Sequence, residues 1–191
     1  MMMPESETEL GLNDFAKELV AASGIDLDIS HCYGCARCSS ACKVAIFGGL
    51  EDRITPRTIL YRALTGEPES LLSSEFIWLC SGCRRCEDAC PQNVKISEVV
   101  RALRRLSSER GKTNPIAARV NERVCMHCGS CVDACPNRAI AIVEGGPKGS
   151  VARIDPAECR GCGGCSAVCP NGAVQPSSLT YIEVLEVFKR R

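Results

Sequence analysis

The chain is predicted to be an α+β protein, with a helical N-terminal half and a C-terminal half built from a β-hairpin and short helices. Three observations predict this. Sixteen cysteines fall into four runs of identical spacing, the gap between the first two runs is patterned like helices, and the gap between the last two like a hairpin. Taken in order, Leu12, Phe15, Leu19 and Val20 mark a helix ending near Gly24. Thr55-Pro56 supplies an N-cap and a proline at the first helical position, Ile59, Leu60 and Leu64 an apolar stripe, and Gly66 an end. A further helix is expected from about Glu69 towards Trp78. Ser97 is expected to cap another, carrying Val99, Val100, Leu103 and Leu106 and closed by Gly111. In the second half, Ala139–Val143 and Val151–Ile154 are β-prone runs on either side of a Gly145–Gly149 turn. Val124 before Cys125 and Ala173-Val174 after Cys169 extend this to a repeat of strand, loop, short helix, strand. Ile182, Leu185 and Phe188 sit at helical spacing near the end. The expected domains are 1–112, 113–178 and a terminal helix over 179–191, with Asn114-Pro115 in the linker.

Every cysteine belongs to a Cys-x2-Cys-x2-Cys-x3-Cys run. The runs are Cys32, Cys35, Cys38, Cys42; Cys80, Cys83, Cys86, Cys90; Cys125, Cys128, Cys131, Cys135; and Cys159, Cys162, Cys165, Cys169. In bacterial ferredoxins this spacing holds [4Fe–4S] clusters: three cysteines on a tight loop reach one cluster, and the fourth ligates the other cluster of the pair. Sixteen ligands at four per cluster predict four [4Fe–4S] clusters, with no cysteine left over. The swapped rule groups Cys32, Cys35, Cys38 with Cys90, and Cys80, Cys83, Cys86 with Cys42. It likewise groups Cys125, Cys128, Cys131 with Cys169, and Cys159, Cys162, Cys165 with Cys135. Four local sets are the alternative, and both stay open at this point. Pro91, Pro136 and Pro170 redirect the chain after three of the runs, whereas Lys43 follows Cys42. Zinc prefers separated pairs or Cys/His mixtures, and a disulfide scaffold needs an oxidising compartment; both fit four equal runs poorly.

Composition bounds the function further. Lys plus Arg equals Asp plus Glu at 23 each, so overall charge points to neither nucleic acid nor a membrane surface. No apolar run approaches the ~18 residues that span a bilayer, so no direct membrane insertion is expected. The acidic start, MMMPESETEL, does not read as a secretory leader, which makes the cytoplasm the expected location. Only eight residues are aromatic (one Trp, three Tyr, four Phe), so each half is expected to lean on its clusters for folding, and the apo-protein to be largely unfolded. Glycine-rich nucleotide loops, Cys-Cys-Gly motifs and His-rich sites are missing, and Gly145–Gly149 reads as a hairpin tip. The chain is therefore expected to carry electrons without being a catalyst itself.

Residues 119–176 resemble the two-cluster bacterial ferredoxin domain, with both cysteine runs, both Cys-Pro steps and the short gap between them. Residues 25–110 resemble the C subunit of heterodisulfide reductase through HCYGCARCSSAC, TPRTILYRALTGE and IWLCSGCRRCEDACPQNVKISEVVRALRRL. That resemblance implies an α-helical ferredoxin fold. It also implies a relay between a flavin-containing A subunit (HdrA-like) and a B subunit (HdrB-like) with Cys-Cys-Gly domains. The family's basic form stops after the helical half, so the added cluster pair leaves room for a further dehydrogenase, hydrogenase or reductase subunit. A diffusible polyferredoxin, a related anaerobic complex such as a benzoyl-coenzyme A reductase assembly, and a membrane-docked oxidoreductase are the competing readings.

Several residues beside the ligands invite a second reading. Gly34, Gly82, Gly129, Gly161, Gly163 and Gly164 suit tight turns and let backbone N–H groups approach sulfur. His31 and His127 flank ligands, with exposure the simpler account and a pH-linked potential the sharper one. Arg37, Arg84 and Arg85 lie within runs, where positive charge would favour reduced clusters. Residues 95–123 carry eight Lys or Arg against three Asp or Glu. They read as a solvated face or, through Arg104 and Arg105, as a docking face for an acidic partner.

Overall fold

In a computed structural model of the chain, the residues described are 12–47, 54–74 and 76–177. The fold is α+β and divides into two compact units, Met1–Leu106 and Ser107–Arg191. The terminal helix expected over 179–191 lies outside the described residues.

The first unit is helical. Helix α1 (Asp14–Ser23) starts where the Asn13 side chain accepts the Ala16 N–H at 2.9 Å and stops at left-handed Gly24. The Asn13 amide also donates to the carbonyls of Ala63 and Leu64, at 2.9 and 2.8 Å, and so ties α1 to the end of a later helix. Short helices α2 (Arg37–Ala41) and α3 (Lys43–Phe47) flank Cys42. Helix α4 (Pro56–Thr65) has the expected Thr55 cap, completed by Thr58 as a capping box, with Pro56 in its first turn and left-handed Gly66 at its end.

The single helix expected from Glu69 to Trp78 is instead two, α5 (Pro68–Leu72) and α6 (Phe76–Leu79). Serine hydroxyls compete with the helical ladder at the break. Ser73 Oγ donates back to the Glu69 carbonyl, and Ser74 Oγ accepts the Phe76 N–H at 3.2 Å. Helix α7 (Arg85–Asp88) follows within the second run, then α8 (Ile96–Glu109). Ser97 does not cap α8. It lies inside the first turn, and both its N–H and its hydroxyl donate to the buried Glu87 carboxylate. The last turn of α8 closes as a Schellman motif, with Gly111 N–H on the Ser108 carbonyl and Lys112 N–H on that of Ser107. Leu19, Ile59, Leu60, Leu71, Ile77, Val99 and Leu103 are all at or below 1% exposed and form an apolar core. Each is worth about 1.5–3 kcal/mol relative to an exposed side chain.

The second unit is assembled around two antiparallel pairs. Strand β1 (Arg119–Val120) pairs with β4 (Val174–Gln175), and β2 (Ile140–Gly146) pairs with β3 (Gly149–Ile154). The hairpin is longer than expected, and Gly145, at φ 96°, takes up an extra residue as a bulge before the tip. Val124 is not in a strand; the strand preceding the third run is β1, and Val124 instead closes a turn by donating to the Asn121 carbonyl. Short helices α9 (Ser130–Asp133) and α10 (Gly164–Ala167) follow the third and fourth runs' loops. The core of this unit is small: Cys125, Cys131, Cys159 and Cys165 pack with Ala118, Ala139, Ala152, Ala173, Ile140, Val151 and Val174. Four of its eleven buried members are cysteines, so more than a third of its interior is the lining of the cysteine hollows itself.

Candidate metal centres

One backbone pattern builds all four cysteine loops. The second residue after each leading cysteine has positive φ: Gly34 at 68°, Gly82 at 70°, His127 at 44° and Gly161 at 65°. So does the fourth: Ala36 at 65°, Arg84 at 61°, Gly129 at 85° and Gly163 at 77°. Two left-handed residues in five wrap the chain into a tight cup, and the second of them opens α2, α7, α9 or α10. Three of these positions hold residues with side chains, which costs roughly 1–2 kcal/mol at each, strain of the kind stored at functional sites. After Cys90, Cys135 and Cys169 a second shared turn follows, with the cysteine carbonyl accepting from the N–H three residues on. After Cys42, where proline is absent, the carbonyl instead accepts from Ile46 and starts α3.

These turns aim N–H groups at sulfur. Ala139 N–H points to Cys135 Sγ at 3.3 Å and Ala173 N–H to Cys169 Sγ at 3.2 Å, at the same position in the repeat. Gly161 N–H meets Cys159 Sγ at 3.5 Å. A β-carbon on Gly161 would stand 2.6 Å from the Ile116 carbonyl oxygen, in addition to the left-handed strain. Gly161→Ala is therefore expected to destabilise the second unit by about 2–4 kcal/mol and to lower its iron content. Gly163→Ala, at a position with open space, is expected to cost only the backbone strain, about 1–2 kcal/mol. Equal melting temperatures for the two variants would contradict this account of the loop.

The cysteines converge on four hollows, each shared by two runs. The first, of about 340 Å³, is lined by Cys32, Cys35, Cys38 and Cys90. The second, of about 490 Å³, is lined by Cys42, Cys80, Cys83 and Cys86. In the second unit a hollow of about 360 Å³ takes Cys125, Cys128, Cys131 and Cys169, and one of about 330 Å³ takes Cys135, Cys159, Cys162 and Cys165. In each unit the crossing follows from two short helices packed together, α2 with α7 and α9 with α10, each delivering its last cysteine to the opposite cup. Among the described residues no three His, Cys, Asp or Glu side chains converge on one ion-sized point. The four cysteines of each set line a hollow, the arrangement that a cluster with one iron per thiolate would need.

The electrostatics of the cups fit the same group. All sixteen cysteines are free thiols. Burial pushes the Cys86 thiol up to about 12, with the nearby Cys80, Glu87 and Cys42 adding to it. Burial also raises Cys38, Cys42, Cys131 and Cys165, and each is raised further by thiols of its own hollow, such as Cys80 and Cys83 around Cys42. Cys128 lies below the usual thiol value because Ser130 donates to it. Burial acts upward on Cys169, but the N–H groups of Val174, Asn171 and Ala173 outweigh it and leave the thiol lowered. Crowded, buried thiols resist ionising together unless a cation binds them, and soft thiolate sets select iron–sulfur clusters among their few partners. The second cysteine of each run, Cys35, Cys83, Cys128 and Cys162, is exposed, so every hollow has one surface residue among its four cysteines.

The 4Fe-4S dicluster domain matches residues 28–94 and 124–173, and a third variant of it matches 79–140, overlapping both because the spacing repeats. Among curated relatives, the second iron–sulfur C subunit of the CoB–CoM heterodisulfide reductase of Methanocaldococcus jannaschii is 32% identical over 96 residues, 50% of this chain and 49% of the relative. The C subunit of the ferredoxin:CoB-CoM heterodisulfide reductase of Methanosarcina mazei is 32% identical over 106 residues, 56% and 62%. That of the ferredoxin/F420H2-dependent CoB-CoM heterodisulfide reductase of Methanosarcina acetivorans is 30% identical over 115 residues, 60% and 66%. The chain resembles the C subunit of heterodisulfide reductase. It spans about half the length of the first of these relatives and under two thirds of the second, and its 4Fe-4S dicluster matches extend through a further pair of cysteine runs.

The charged residues singled out in the sequence divide. His31 is exposed and pairs with Asp28 at 2.9 Å, while His127 serves the third loop as one of its left-handed residues. Arg84 Nη2 lies 3.6 Å from Glu98, which Arg101 also approaches at 3.4 Å; the pair is mostly exposed on the arginine side and worth little. Arg85 lines the second hollow and Arg37 opens α2. The docking face expected through Arg104 and Arg105 cannot include Arg104. Arg104 is 0% exposed, with all its hydrogen bonds turned inward, and Arg105 donates to the Ala22 carbonyl at 3.2 Å. Helical spacing could not reveal this, because α8 is covered on several sides, and a buried arginine reads as a surface one in any periodic pattern. Sequence reasoning also missed Asn114. Its buried amide donates to Pro156 and Cys159 carbonyls at 2.7 and 3.0 Å and so fixes the entry to the fourth run.

Proposed function

We propose that the chain is an electron-relay subunit of a multi-subunit oxidoreductase of heterodisulfide-reductase type, working through four [4Fe–4S] clusters. The observation that carries this is the lining of the four hollows: each gathers three cysteines of one run and the last cysteine of its partner run. The ligand sets are therefore Cys32, Cys35, Cys38, Cys90; Cys42, Cys80, Cys83, Cys86; Cys125, Cys128, Cys131, Cys169; and Cys135, Cys159, Cys162, Cys165. Such clusters accept and release single electrons at potentials set by charge, hydrogen bonds to sulfur and exposure. The chain's own part is to hold two centres close within each unit, to stabilise their anionic sulfurs with backbone N–H groups, and to leave one ligand of each at the surface.

Every cysteine is committed to a four-thiolate set, so no iron is left open to a substrate, and catalysis belongs to other chains of the complex. The likeness to the C subunit of heterodisulfide reductase supports two partners, one flavin-containing and HdrA-like, the other Cys-Cys-Gly-rich and HdrB-like. The second unit would reach a further dehydrogenase, hydrogenase or reductase. Among the described residues no helix is long and apolar enough to cross a membrane. The test is gentle anaerobic affinity purification from the native host with identification of the accompanying chains. Recovery of flavin-bearing and Cys-Cys-Gly-rich chains is expected. An isolated, iron-replete monomer would overturn the relay and make the protein a diffusible carrier.

A further inference from the structure

We propose that Arg104 is the built-in counter-charge of the centre held by Cys42, Cys80, Cys83 and Cys86, and that its fixed positive charge raises that centre's reduction potential. The inference rests on the cluster reading above and adds the residue that tunes one of the four centres.

Arg104 is fully buried on α8. A guanidinium stays charged in proteins, and a buried charge without compensation is costly. Among the described residues, the groups that accept its hydrogen bonds are neutral carbonyls. Its Nε donates to the Ile77 carbonyl at 2.5 Å, and one terminal nitrogen donates to those of Trp78 at 2.8 Å and Cys80 at 2.7 Å. The Trp78 ring centroid lies 5.8 Å from its central carbon. The other terminal nitrogen is buried with no hydrogen-bond partner among the described residues. Glu98, earlier on α8, is engaged by Arg84 and Arg101, and Glu87, beside Cys86, by Ser97.

Three carbonyls and an aromatic face explain how the side chain is held, but they do not neutralise it. The compensating anion is the centre itself. Cys80, whose carbonyl oxygen takes the guanidinium, also presents its side chain to the second hollow. Four thiolates outweigh the positive charge of an iron–sulfur core, so the bound group is a net anion, and reduction makes it more so. A positive charge fixed in a poorly screened interior favours the more negative, reduced state. Two further groups bear on the same centre, Arg85 on the hollow's wall and the buried Glu87 beside Cys86. Both stay in place when Arg104 alone is changed.

The simpler role for Arg104 is to cap the end of α6, so the test separates charge from hydrogen bonding. Full-length protein is loaded anaerobically and titrated potentiometrically with electron paramagnetic resonance detection. Arg104→Gln keeps a donor for the carbonyls and removes the charge. It is expected to lower one of the four one-electron steps by at least tenfold in the oxidised-to-reduced ratio, about 59 mV, and to leave the other three in place. The moving step is the one altered by Cys83→Ser. Arg104→Lys keeps the charge and loses the fork, so it is expected to melt a few degrees lower with that step unmoved. An unmoved step in Arg104→Gln, or an equal shift in both variants, overturns the proposal. If Arg104→Gln does not fold, Arg104→Lys decides: a step in its original place upholds the proposal, and a tenfold shift or loss of the centre overturns it. Iron is counted in the same samples. A wild-type deficit would refute the cluster reading itself, independently of any effect at Arg104.

Discussion

Removing iron is expected to unfold the second unit and to leave much of the first unit's helix in place. The second unit's buried core consists of four cysteines, four alanines and three branched residues, and its two sheets have two strands each. A core of that size does not offset the conformational entropy of the chain, so the deficit must be met by ligation. In small metal domains ligation supplies on the order of 10 kcal/mol. The first unit differs because Leu19, Ile59, Leu60, Leu71, Ile77, Val99 and Leu103 bury an apolar interior apart from its cysteines. After anaerobic chelation, amide exchange should become fast across β2 and β3 while α1, α4 and α8 keep partial protection. Equal protection of the hairpin with and without iron would contradict this. The expectation of a largely unfolded apo-protein, drawn from low aromatic content, is thus narrowed to one unit.

Cys90→Ala is expected to strip the centre of the first run while sparing that of its own. Cys90 lines the hollow of Cys32, Cys35 and Cys38, whereas Cys80, Cys83 and Cys86 share theirs with Cys42. The variant should lose about four irons per chain, the content of one cluster. Anaerobic alkylation should then label Cys32, Cys35 and Cys38 and leave Cys80, Cys83 and Cys86 protected. Cys42→Ala should give the reverse pattern. Labelling confined to the mutated run would mean that each run keeps its own cluster.

Much of this architecture was legible in the sequence because its strongest signals are local. Thr55-Pro56 and Gly66 bound α4, Gly24 ends α1, and the hairpin lies between the β-prone runs around Gly145–Gly149. The cysteine spacing foretold cups, since alternating left-handed residues and short helices need only a few consecutive positions. What was not legible depends on distant partners. Ser97 resembles a cap but is claimed by Glu87 ten residues earlier. Two serines interrupt the helix after Glu69 through hydroxyl competition that an apolar stripe does not register. Arg104 and Asn114 look like surface and linker residues, yet each fixes the carbonyl of a leading cysteine, Cys80 and Cys159 respectively. Their roles are set by long-range closure of the chain, which no periodicity encodes.

The most direct test of four cluster sites is the iron and acid-labile sulfide content of anaerobically prepared protein, read with its Mössbauer spectrum. The account predicts about sixteen irons and about sixteen sulfides per chain, four of each per cluster, all in one class of thiolate-ligated cubane. Half that iron, or bound zinc without sulfide, would contradict it.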